Sequence, residues 1–130
     1  MYQQKLGERA EHRQREGQRV KDSASLADTF RKLKSLRVDL EFLGPDGSAK
    51  GSEIKYDVNL GGAKSVFRFN CPNDECIRGD FDLSGELAKA VAERQRVASG
   101  KMVCKGWRSK TTIDTVRCGN ILKYNLSLGY

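Results

Sequence analysis

The chain has 130 residues, of which 38% are hydrophobic and 32% are charged, and its formal net charge is +7 at pH 7. This length allows one domain with a modest core, and no stretch approaches the roughly 18 apolar residues that cross a bilayer. The positive charge is concentrated at the two ends: residues 1–34 carry 9 basic and 5 acidic side chains, and residues 101–130 carry 6 and 1. Such ends favour a polyanionic partner, nucleic acid first, although the same charge also serves solubility alone.

The N-terminal residues 1–24 are predicted to form a flexible basic arm. They contain almost no large apolar side chain after Leu6, so they bury too little surface to offset the entropy of ordering. We therefore expect a disordered or loosely helical arm, followed by a single α+β domain over residues 25–130. That domain is predicted to open with a short amphipathic helix over residues 25–34, which begins at a candidate N-cap, Ser25.

Three strands of an antiparallel meander are predicted next. Apolar and polar side chains alternate over residues 36–42 and again over residues 54–60, which is typical of strands with one solvated face. A turn sequence separates these two strands. The glycine pair at positions 61 and 62 predicts a tight hairpin turn into a third strand over residues 66–69.

The longest predicted helix of the domain begins at Ser84, a candidate N-cap, and ends before Gly100, a candidate C-cap. A short strand over residues 102–104 follows, and the regular alternation over residues 122–130 predicts a long final strand that pairs with the meander. The fold class is therefore α+β, an antiparallel β-sheet meander with one inserted helix.

Four cysteines lie in two pairs on either side of that helix, each at a strand end or a turn: Cys71, Cys76, Cys104 and Cys118. Four thiolates complete the tetrahedral coordination of Zn2+, which binds soft sulfur ligands readily. The N-terminus lacks the apolar segment of a signal peptide, so we expect a cytoplasmic protein with reduced thiols, which favours metal ligation over disulfides. Iron in the same ligand set, disulfides, and four unrelated buried cysteines are the alternatives.

Two cysteine-bearing turns that hold one metal ion resemble a zinc ribbon, and the resemblance covers residues 66–130. It implies that the first turn contributes Cys71 and Cys76, and the second Cys104 and Cys118. The usual spacing in that family is two residues within each pair, whereas here four and thirteen residues separate the cysteines. Four sulfur ligands leave no position for a catalytic water, so we expect a structural metal and no enzyme activity.

The segment between the last two cysteines contains the only tryptophan, among basic and hydroxyl side chains. An exposed indole can stack on an unpaired base while neighbouring cations bind phosphate. The candidate nucleic-acid-binding residues are Lys105, Trp107, Arg108, Lys110 and Arg117. The alternative is that the indole packs over the cysteine turn in the core.

The remaining polar groups are not predicted to be catalytic. His12 is interpreted as a solvated side chain, and four carboxylates are interpreted as turn and helix-capping residues: Asp74, Glu75, Asp80 and Asp82. We expect a monomeric, non-enzymatic zinc-binding module that binds nucleic acid. Two alternatives are a protein–protein adaptor that uses a sheet edge or the 25–34 helix, and a thiol redox sensor that releases zinc when Cys71 and Cys76 are oxidised.

Overall fold

A computed structural model describes residues 2–47, 49–72, 76–77, 79–109 and 115–130. Its helices are α1 (Tyr2–Asp22), α2 (Leu26–Thr29) and α3 (Ser84–Ala92). Its strands are β1 (Ser35–Leu43), β2 (Ala49–Asp57), β3 (Arg68–Asn70), β4 (Asp80–Asp82), β5 (Val97–Val103), β6 (Trp107–Ser109), β7 (Thr115–Arg117) and β8 (Ile121–Gly129). The predicted α+β class is confirmed. No helix in the described ranges is long and apolar enough to span a membrane.

The main sheet has four antiparallel strands in the order β2-β1-β8-β5. The two central strands, β1 and β8, pair along their whole lengths, from Ser35 opposite Gly129 to Leu43 opposite Ile121. Both strands bury every second side chain, as the alternating sequence predicts, because successive side chains of a strand point to opposite faces. The long final strand therefore does pair with the first one.

The predicted third strand of the meander is wrong in its pairing. Strand β3 does not continue the main sheet but pairs with β4 in a separate two-stranded sheet. The Gly61-Gly62 sequence makes no hairpin, because the backbone N–H groups of Gly62 and Ala63 both donate to the Asn59 carbonyl in a local turn. The chain then passes beside the start of α2, where the Leu26 N–H donates to the Ala63 carbonyl at 2.8 Å.

The predicted length of the helix in the middle of the chain is also wrong. Helix α3 ends at Ala92, and Arg94 then adopts a φ of 51° that stops the helix well before Gly100. Gly100 instead lies within β5, where its Cα faces the ring of Tyr124 on β8. Pairing with β8 therefore makes β5 longer than the short strand predicted over residues 102–104.

The N-terminal residues form one long helix and one short helix. Residues predicted as a disordered or loosely helical arm form α1, which has a sequence of low mean hydropathy. Helix α2 has only four residues; its predicted N-cap is confirmed, because the Ser25 hydroxyl accepts a hydrogen bond from the Asp28 N–H at 3.1 Å.

One hydrophobic core joins the inner face of the main sheet to α3 and to the small β3–β4 sheet. Phe81 and Leu83 enter it from β4 and its end, and Leu87 and Ala90 enter from α3. All four cysteines belong to the same cluster of buried residues. The packing of the sheet and the geometry of the cysteines are therefore parts of one structure.

Candidate metal centre

The four cysteine sulfurs lie together, all within 4.8 Å of one another, and each cysteine is no more than 2% exposed. The Sγ atoms of Cys71 and Cys118 are 3.7 Å apart, and those of Cys76 and Cys104 are 3.5 Å apart. These separations are far longer than the roughly 2.05 Å of a disulfide bond. A tetrahedral site with Zn–S bonds of about 2.3 Å has sulfur–sulfur edges of about 3.8 Å, so the cluster has the dimensions of a four-sulfur metal site.

Strand ends position three of the four cysteines, as the sequence predicts. Cys71 follows β3, Cys104 follows β5, and Cys118 lies between β7 and β8. Cys76 directly precedes Ile77, which forms an isolated bridge with Trp107 through two backbone hydrogen bonds, Ile77 N–H to Trp107 O at 2.9 Å and the reverse at 3.2 Å. This bridge connects the first cysteine turn to the second.

Two glycines allow the backbone to approach the sulfurs. A β-carbon on Gly79 would overlap the sulfur of Cys76 and lie 2.6 Å from that of Cys104. A β-carbon on Gly106 would lie 2.6 Å from the Cys76 sulfur. Their carbonyls accept hydrogen bonds from the N–H groups of Cys71 and Cys118, at 3.2 and 2.9 Å. Glycine at both positions is therefore part of the ligand geometry.

Hydrogen-bond donors also point at the sulfurs. The Gly106 N–H donates to the Cys104 sulfur at 3.4 Å, and the side-chain amide of Asn120 donates to the Cys71 sulfur at 3.7 Å. Asn120 is only 7% exposed, and its role was not predicted from the sequence. Its one sequence signal is its place two residues after the last cysteine. Donors of this kind stabilise thiolates and orient metal ligands.

The protonation of the cysteines depends on what fills the cluster. A hydrogen bond with Cys104 raises the pKa of the Cys76 thiol, and a hydrogen bond with Cys71 raises the pKa of the Cys104 thiol. Burial raises both pKa values further. A cation at the centre has the opposite effect, because a coordinated thiol is deprotonated outright. The free cluster therefore favours the neutral thiol form of Cys76 and Cys104, and a coordinated metal ion would favour their thiolate form.

A second group of potential ligands lies between α1 and the β3–β4 sheet. The ligand atoms of His12, Glu16 and Asp80 lie within 4.8 Å of one another. The guanidinium of Arg68 already pairs with both carboxylates, 3.0 Å from Asp80 and 3.9 Å from Glu16, and its side chain is only 6% exposed. Because Arg68 supplies the positive charge, we assign no metal to this group.

His12 is not the solvated side chain that the sequence suggested. It is 14% exposed, with Nε2 3.6 Å from an Asp80 oxygen, and burial lowers its pKa. Asp82 does serve the start of α3, where its carboxylate accepts a hydrogen bond from the Ser84 N–H at 2.9 Å. Asp74 and Glu75 lie outside the described residues.

The candidate nucleic-acid-binding residues lie mainly on a two-stranded ribbon that β6 and β7 form between the last two cysteines. Trp107 pairs with Arg117 across this ribbon, and Arg108 is the next residue of β6. Lys105 is exposed, and Trp107 is half-buried rather than fully buried in the core. Lys110 lies outside the described residues.

Comparison of the chain with protein-family models, with curated proteins and with solved structures finds no match.

Proposed function

We propose that this protein is a non-enzymatic binding module whose fold is held by one structural zinc ion in a zinc-ribbon-like centre. The observation that carries the proposal is the cluster of four buried sulfurs with the dimensions of a tetrahedral site. The ligands would be Cys71, Cys76, Cys104 and Cys118. Four sulfurs close the coordination sphere, and this supports a structural metal rather than one that activates water.

Burial argues against the redox-sensor alternative. Sensor cysteines react because they are accessible thiolates, whereas each of these four cysteines is at most 2% exposed. An oxidant would first have to open the core that the cysteines share with the sheet.

Nucleic acid is the partner that we propose for the module. The β6–β7 ribbon leaves and re-enters the cysteine cluster, so a metal would hold both of its ends. The exposed residue Lys105 and the half-buried residue Trp107 lie at its start. A stacking surface beside cations is the chemistry that recognises single-stranded nucleic acid.

Metal content tests the first part of the proposal. Purified wild-type protein should contain one zinc ion per chain by elemental analysis. The Cys118→Ser variant should bind less metal and melt at a lower temperature, because metal-binding free energy is also folding free energy. Unchanged metal content and melting in this variant would contradict the proposed centre, and iron in place of zinc would replace the proposed metal.

Binding to single-stranded oligonucleotides across a salt series tests the second part. Trp107→Ala should weaken binding about tenfold, since stacking on one base contributes roughly 1–3 kcal/mol. Lys105→Gln should weaken binding and reduce its dependence on salt. The control, Lys89→Gln, removes an exposed cation from α3 and should change neither. Absence of wild-type binding at low salt would reject nucleic acid as the partner and leave the metal proposal intact.

A further inference from the structure

The two edges of the main sheet are protected to different degrees. Strand β2 forms one edge of the sheet and carries three exposed charged side chains, Glu53, Lys55 and Asp57. Charged side chains on an edge strand discourage pairing with another strand. Strand β5, at the other edge, has Val97 and Val103 at its two ends, exposed by 58% and 60%. These are two of the most exposed large apolar side chains among the described residues, and they lie on the less protected edge.

The backbone of β5 presents free hydrogen-bonding groups at this edge. The Cys104 N–H donates to the Asn120 carbonyl at 2.7 Å, and the Arg96 carbonyl accepts from the Leu128 N–H at 2.8 Å. The backbone N–H and C=O groups of the even-numbered residues of β5 are therefore directed at β8. In an antiparallel pair, successive residues direct their N–H and C=O groups to opposite sides. The odd-numbered residues from Val97 to Val103 therefore direct these groups away from β8, where no bond to them is found within the described residues.

We propose that a second copy of this chain pairs with β5 in the antiparallel direction and forms one continuous eight-stranded sheet across the dimer. The two-fold axis passes through Gly100. In this register Val97 lies opposite Val103 of the second copy, and Ser99 lies opposite Lys101 of the second copy. These odd-numbered pairs are the ones whose backbone groups point outward, so each pair exchanges two backbone hydrogen bonds. The strand is therefore self-complementary in hydrogen bonding and in its apolar side chains.

The centre of this interface has room for two strands. Gly100 contributes no side chain at the axis, and the ring of Tyr124 covers it; a β-carbon at this position would lie 2.7 Å from the Tyr124 Oη atom. An aromatic ring that packs over a glycine of the neighbouring strand stabilises a sheet edge. On the same inner face, Ala98 lies opposite Met102 of the second copy, a small side chain beside a long one.

Charge gives the dimer a distinctive dependence on salt. Lys101 lies directly opposite Lys123 on the outer face of each chain, and the two-fold axis brings the Lys101 side chains of both copies to diagonal positions. Like charges this close repel each other, and added salt screens the repulsion. The dimer should therefore tighten as ionic strength rises, whereas binding to nucleic acid should weaken. The proposed dimer differs from the monomer expected from the sequence. That expectation rested on composition, which does not reveal which strand lies at an edge.

Sedimentation over a range of protein concentrations tests the proposal with two paired double variants of the full-length, metal-loaded chain. Val97→Lys with Val103→Lys places like charges opposite each other in both symmetry-related pairs and should raise the dimer dissociation constant by at least about tenfold. Val97→Glu with Val103→Lys places opposite charges in the same two pairs and should restore the dimer. Glu53→Lys changes the net charge by as much as the first double variant, but on the β2 edge, and should have no effect.

A backbone variant tests the same edge independently. Ser99→Pro removes an outward-facing N–H that no described residue uses, so it should abolish the dimer and leave the main sheet intact, since proline is tolerated at the free side of an edge strand. Circular dichroism and metal content verify folding of every variant. A wild-type chain that is monomeric at all concentrations overturns the proposal. So does a dimer that survives Val97→Lys with Val103→Lys, or a Glu/Lys variant that stays monomeric while folded.

Discussion

In the cysteine cluster the backbone of Gly79 lies against the sulfurs of Cys76 and Cys104, and that of Gly106 lies against the Cys76 sulfur. Close approach of this kind is available to glycine alone, because any other residue would place a β-carbon where a ligand atom lies. The four cysteines are visible in the sequence as ligands. The glycines that let the four sulfurs come together are visible only in the structure.

Gly79→Ala should therefore disturb the centre without removing a ligand. The added methyl group would displace the sulfurs, and overpacking of this kind costs about 1–3 kcal/mol of unfolding free energy. Metal affinity, measured by competition with a chelator, should fall together with the melting temperature. The matched control is Gly85→Ala on the exposed first turn of α3, where an added β-carbon has no neighbour within 4 Å. Equal effects of the two substitutions would contradict the proposed role of Gly79.

At the scale of elements, α1 is attached to the β3–β4 sheet mainly by ionic contacts. Arg19 lies 3.1 Å from an Asp82 carboxylate oxygen, and Arg68 bridges Asp80 and Glu16. Arg13 adds a hydrogen bond to the Cys71 carbonyl at 3.4 Å, which connects the helix to the first cysteine turn. The charged residues that predict a loose arm are thus the residues that hold it in place.

Arg68→Ala tests whether these contacts hold α1. The substitution leaves two partly buried carboxylates without their shared cation, so unfolding free energy should fall by about 2–3 kcal/mol. Proteolysis within α1 should accelerate as well. Arg37→Ala is the control: it removes an arginine that is 49% exposed and pairs with Asp39 and Asp57, and should cost less than about 1 kcal/mol. Unchanged proteolysis of α1 in Arg68→Ala would show that other contacts hold the helix.

On the scale of the whole molecule, the cysteines and the sheet share one core, so the effect of losing a ligand cannot stay local. Cys118 is packed in the same cluster as Leu122 and Leu126 of the central strand β8. Loss of metal in Cys118→Ser should therefore lower the melting temperature of the main sheet. The melting curve, measured by circular dichroism, should still show a single transition. Separate melting of an unaffected sheet would show that the centre is a peripheral attachment.

Features that depend on local sequence pattern could be predicted from the order of residues. The alternation of apolar and polar residues predicted β1 and β8, because successive side chains of a strand point to opposite faces. Four cysteines at strand ends and turns predicted a metal site, because four thiolates complete a tetrahedral coordination sphere. The pairing of the strands, the end of α3 and the position of β5 at the open edge became apparent only in the three-dimensional fold. Pairing joins residues far apart in the chain, such as Gly100 and Tyr124, and no local period records such a contact.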